Sequence, residues 1–150
     1  MRIALKYGLL ITLGIVAWVV IAHLVVPDPT SKVHSVGAGI FFNVVEIGGI
    51  FLGITAKGRA SGGKPAFKDG LKTGISIAFV YALSAALFFL VELVLIGPKL
   101  MAGEPGAQTQ TLLRVAVAAF AGLFAGSLLF GLVYSTVISF FLAKRQATSD

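Results

Sequence analysis

Cysteine is absent from this 150-residue chain, which removes disulfides, thiolate nucleophiles and Cys-ligated zinc and leaves the redox compartment open. Histidine is scarce: His23 and His34 are the two, too few for a zinc site of the usual spacing. No Gly-x-Ser-x-Gly nucleophile elbow occurs. Charge is short as well. Asp, Glu, Lys and Arg make up 12% of the residues, against about 25% in an average soluble domain. A chain with half the usual charge has too little polar surface to face water, which excludes an ordinary soluble enzyme or nucleic-acid-binding domain. These shortages leave no catalytic residue, no metal site and no cofactor to expect, and the chain reads as a non-enzyme.

Hydrophobic residues, by contrast, make up 57% of the chain. About 20 apolar residues in a helix cross the ~30 Å hydrocarbon core of a bilayer. Four stretches qualify: about 7–26, 36–54, 73–96 and 113–142. The first stops at Pro27-Asp28-Pro29 and the third at Gly97-Pro98, where proline ends a helix. The first run exceeds the 7–15 apolar residues of a signal-peptide core, so it is read as a retained span. Apolar character all round each stretch argues for lipid-embedded helices rather than one-sided soluble ones. The expected fold is therefore all-α, a single four-span membrane domain over residues 1–150 forming an integral-membrane four-helix bundle.

The net charge of +6 has its explanation in orientation. Cytoplasmic loops collect Lys and Arg. Arg2 and Lys6 precede the first span, Lys57, Arg59, Lys64, Lys68 and Lys72 lie between the second and third, and Lys144 and Arg145 follow the fourth. Lys32, Lys99 and Arg114 are the three on the other side. Both termini and the central loop are expected in the cytoplasm, with outer loops at 27–35 and 97–112. The fourth stretch, at ~45 Å of helix, exceeds the hydrocarbon thickness and must tilt, bend at Gly122, Gly126 or Gly131, or start among the outer headgroups.

Small residues let membrane helices approach closely. Gly49-x-x-x-Gly53 in the second span and Ala118, Gly122 and Gly126 in the fourth offer such faces. Packing within one chain is preferred for both, and a homo-oligomer or another membrane protein is the alternative partner. Trp18, near mid-span, is read as a packing residue.

The central loop, from Gly58 to Lys64 and Pro65, nearly spells a phosphate-binding loop. Pro65 stands where a Ser or Thr must bind Mg²⁺, and a membrane helix precedes it instead of a strand, so it is read as a basic loop. Beyond it Lys64, Lys68 and Lys72 recur every four residues beside Phe67 and Leu71. That pattern describes a short amphipathic turn on the inner leaflet, its basic stripe facing anionic lipid. No nucleic-acid partner is expected.

The segments Leu5-Lys6-Tyr7-Gly8 and Phe67-Lys68-Asp69-Gly70-Leu71-Lys72-Thr73-Gly74, with Pro98 beyond the third span, resemble a bacterial family of small four-helix membrane proteins catalogued as a domain of unknown function. The resemblance covers almost the whole chain. It implies four spans in a bacterial inner membrane and brings no catalytic or ligand residues with it.

Ionisable groups inside a span cost several kcal/mol unless paired or neutral. Glu46 sits about ten residues into the second span, with Asn43 one turn outward on nearly the same face. No Lys or Arg lies at that depth, so the neutral acid is favoured, able to donate a hydrogen bond to Asn43, a serine or a tyrosine. Tyr81 and Ser84 on the third span, and Ser127, Tyr134 and Ser135 on the fourth, are further polar groups, read as packing. Near the outer ends Glu92, His23 and Arg114 form a candidate ion-pair cluster that ties helix ends together or gates a substrate. The leading functional expectation is a non-enzymatic structural or accessory membrane component. The alternative is a small proton-coupled transporter or channel subunit using Glu46.

Overall fold

The computed structural model describes residues 2–25, 32–63, 65–96 and 111–147. They form four helices: α1 (Arg2–Val25), α2 (Lys32–Ala60), α3 (Phe67–Ile96) and α4 (Leu112–Ala147). Each contains a stretch long and apolar enough to cross a membrane: Arg2–Ala22, Val36–Ala60, Phe67–Leu95 and Leu112–Lys144. With no water in hydrocarbon to satisfy backbone N–H and C=O groups, a helix that pairs them internally is the solution open to such sequences. The chain is a multi-pass membrane protein built as an all-α four-helix bundle.

The helices extend past the apolar stretches marked from the sequence. The segment expected as a short amphipathic turn leading into the third span forms the first turns of α3, which runs unbroken from Phe67. Continuing the helix satisfies the backbone of that polar segment, as in the Gly70 N–H to Ala66 C=O bond at 2.9 Å. α4 is likewise one continuous helix of 36 residues, roughly 54 Å long, without a break at Gly122, Gly126 or Gly131. The terminating Pro27-Asp28-Pro29 and Gly97-Pro98, the basic residues Lys64 and Lys99, and the side chains of His23, Lys32 and His34 lie outside the described residues.

α2 ends in a sharp stop. The Gly63 N–H donates to Gly58 C=O at 3.1 Å and the Gly62 N–H to Arg59 C=O at 3.2 Å, while Gly62 takes a φ of +81°. This is the Schellman arrangement, which needs a left-handed residue just past the helix and favours glycine there. Pro65 then folds back against Gly58. The glycines that mimic a phosphate-binding loop are therefore a helix cap.

Helix pairing follows from small residues meeting larger ones. Ile11 of α1 sits on Gly49 of α2, and Val45 faces Gly14. Trp18 stacks on Phe41, ring centroids 4.6 Å apart. Gly8 accommodates Val80 of α3, and the hydroxyls of Thr12 and Ser84 are hydrogen-bonded at 2.6 Å. Gly53 receives Ile77 of α3 and Tyr7 of α1. These pairings make consecutive helices antiparallel and α1 parallel to α3, so α1 begins where α4 ends. Helix α3 packs against all three others, whereas α1 and α4 share no comparable contact.

The α3–α4 seam is the most extensive. Gly70 faces Ser139, Gly74 faces Ser135 and Ala78 faces Gly131, a register stepping by four along both helices. Ser135 and Ser139 are 0% and 1% exposed. Ala82 and Ala86, also fully buried, extend the same face of α3. Lipid tails supply no hydrophobic force between helices, so backbone approach and dispersion hold this seam.

Two glycine faces thus differ in fate. Gly49 and Gly53 pack inside the chain. Gly122 and Gly126 do not: a Cβ on either would meet nothing within 4 Å, and Ala118 and Gly122 are exposed. The reason is angular. α4 turns Gly131, Ser135 and Ser139 toward α3, and Gly126, five residues earlier, points well away from that line at 100° per residue.

Candidate functional site

Glu46 is carried on α2 where that helix faces both α3 and α4, and it is 4% exposed. Its burial follows from the small residues opposite. Gly131 of α4 leaves room for the carboxyl, since a Cβ there would stand 3.1 Å from Glu46 Oε1 and collide with Ala78 of α3. Oε1 has no hydrogen-bond partner. Such buried orphans are uncommon in native structures and ask for an explanation.

Around the carboxyl stand two phenols. Tyr81 of α3 is buried, a hydrogen bond links its hydroxyl to that of Ser127 on α4, and it lies close enough to Glu46 to sense its charge. Tyr134 of α4 is within the same electrostatic reach, and its hydroxyl donates to Asn43 Oδ1. The Asn43 amide nitrogen donates in turn to the Gly39 carbonyl at 2.6 Å. Asn43 is therefore engaged on both sides by groups other than Glu46. The phenols and Ser127 add polar groups to a core whose buried hydrophobic residues are mainly Ile and Ala.

The structure brings Glu46, Asn43, Tyr81, Ser127 and Tyr134 together from three helices. Ser84 lies apart, donating to Val80 C=O at 2.7 Å and bonded to Thr12, and Ser135 belongs to the α3–α4 seam, donating to Gly131 C=O at 2.5 Å. Of the outer cluster, Glu92 is half-buried near the end of α3 and Arg114 is exposed at the start of α4; the His23 side chain is outside the described residues. Of the basic stripe, Lys68 and Lys72 are exposed. Two features went unmarked in the sequence. One is the Gly70-Gly74-Ala78-Ala82-Ala86 face of α3, whose four-residue spacing is a readable signal. The other is the role of Gly131 as the surface that admits Glu46, which no local pattern announces. Among the described residues no cluster of three or more His, Asp or Glu side chains is placed to hold a metal ion.

The sequence model of a family described as a protein of unknown function, DUF4199, matches residues 6–110, a range that takes in most of α1 and all of α2 and α3, with Asn43, Glu46 and Tyr81. No curated protein and no solved structure matches.

Proposed function

The chain belongs to DUF4199, a family of unknown function, and from that premise we propose that it is a non-enzymatic membrane component that binds and releases protons at Glu46, as a small proton-coupled carrier or channel subunit does. One observation carries the reading: a carboxyl at mid-span, almost wholly buried, with Oε1 unpaired and two phenols within electrostatic reach. The Trp18 indole and the Ser139 hydroxyl are unpaired as well, but a carboxyl is costlier to leave so in hydrocarbon than either, by several kcal/mol once it is charged. A proton acceptor needs an oxygen free to take and give a hydrogen. The Tyr81–Ser127 and Tyr134–Asn43 pairs supply hydroxyls to either side.

The reading is tested by infrared spectroscopy of the purified protein. A neutral carboxylic-acid carbonyl band is expected in wild type, lost in Glu46→Gln and shifted on transfer to D₂O. A band insensitive to D₂O, or unchanged in the variant, would mean that Glu46 holds no exchangeable proton.

A structural or accessory role is the second reading, supported by the close α3–α4 seam, which fills the bundle without needing Glu46. We further place the protein in a bacterial inner membrane with both termini cytoplasmic and the basic residues against anionic lipid, on the strength of the Lys and Arg asymmetry. Single cysteines test the orientation cleanly in this cysteine-free chain. Ser61→Cys should react with a membrane-impermeant maleimide in inverted vesicles only, and Thr111→Cys in right-side-out vesicles only; the reverse pattern would overturn the assignment.

A further inference from the structure

At the end of the bundle where α1 begins, a cleft of about 1240 Å³ opens between α1 and α3. Its lining is divided by depth. Arg2, Lys57 and Lys72, with Asp69, stand near the helix ends, and Phe79 and Val80 line its deeper part. From Lys72 to Phe79 along α3 is about 10 Å of rise, close to the distance over which a bilayer passes from headgroup to acyl chain. The three cations come from three helices, and with the single carboxylate they leave a net charge of +2 at the cleft mouth.

We propose that this cleft is a binding site for one anionic phospholipid, its phosphate held by Arg2, Lys57 and Lys72 and one acyl chain lying on Phe79 and Val80. Two properties fit this occupant. The charge is complementary to a phosphate, whose oxygens accept bidentate hydrogen bonds from Arg and single ones from Lys. The apolar wall begins one to two helical turns below the cations, where a free anion in water would have no use for it. Asp69 beside the cations rewards headgroups that also carry a hydroxyl or amine donor.

The site differs from general attraction of a basic surface to a charged leaflet. Such attraction treats Lys68 and Lys72 alike, since both are exposed on the first turns of α3, but Lys72 lines the cleft and Lys68 does not. The inference is independent of Glu46, which faces Gly131 of α4 and does not line the cleft.

The experiment is native mass spectrometry of the full chain titrated with phosphatidylglycerol, phosphatidylcholine of the same chain length, or inorganic phosphate. Phosphatidylglycerol should bind with a stoichiometry of one and survive collisional activation that strips phosphatidylcholine. Lys72→Gln and Arg2→Gln should each weaken it about fivefold, the effect expected of one basic group at a charged lipid surface, while Lys68→Gln leaves it unchanged. Ser76→Trp, which obstructs the cleft without touching a cation, should abolish the preference in protein whose thermal unfolding stays cooperative. Equal retention of the two lipids would overturn the proposal. So would equal effects of Lys68→Gln and Lys72→Gln, or displacement of the lipid by inorganic phosphate at comparable concentration.

Discussion

Asn43 and Tyr134 are separated by 91 positions in the chain and joined by one hydrogen bond, and the bond gives Asn43 a task different from the one its neighbourhood suggests. Placed one turn from Glu46, it is the obvious acceptor for that carboxyl; in the bundle it is spent on Tyr134 and on the Gly39 carbonyl. The consequence is energetic. Tyr134→Phe removes a donor and leaves Asn43 Oδ1 unpaired, at a cost of about 0.6 kcal/mol, the average for side-chain hydrogen bonds between membrane helices. Glu46→Gln is expected to behave differently. It keeps the shape and neutrality of the acid at a position whose Oε1 has no partner to lose, so the thermal midpoint in detergent should equal or exceed that of wild type. A midpoint several degrees lower would show that the carboxyl makes a structural hydrogen bond after all. The position of Asn43 one turn outward from Glu46 on nearly the same face was legible from sequence. The partnership with Tyr134 was not, because it depends on helix rotation, which residue spacing along one helix leaves undefined.

At the scale of the helices the same limit reappears in another form. The four spans were evident because length and apolarity alone define them. Which side of each span faces protein was less so: in lipid both faces are apolar, and the one-sided stripe that orients a soluble helix is missing. The two glycine stripes show the result. Gly49 and Gly53 pack inward as expected, while Gly122 and Gly126 look out into open space, and the seam of α4 runs instead along Gly131, Ser135 and Ser139. Substitution separates the two kinds of position. At Gly74 a Cβ would collide with Ser135, so Gly74→Ala is expected to destabilise by about 1–3 kcal/mol through overpacking. Gly122→Ala meets nothing and should leave stability unchanged or slightly raised. Thermal unfolding of the two variants checks this directly; equal losses would mean that the seam has been assigned to the wrong face of α4.

For the molecule as a whole, the helix order places α3 at the centre of the bundle and Glu46 where α2 meets α3 and α4, so the polar site is shared by three of the four helices. The tilt of one helix would change what surrounds the carboxyl. Fold class and membrane embedding follow from the length and apolarity of four stretches, whereas the proposed activity rests on this one internal group, which is why it has to be tested in a sealed membrane. The measurement is proton flux into liposomes containing equal amounts of wild-type or Glu46→Gln protein, followed with an entrapped pH dye after a pH step with potassium and valinomycin present to cancel the electrical potential. Wild type is expected to dissipate the gradient faster than empty liposomes, with Glu46→Gln no faster than empty ones. Equal rates for wild type and variant would contradict the assignment of Glu46 as the proton-carrying group.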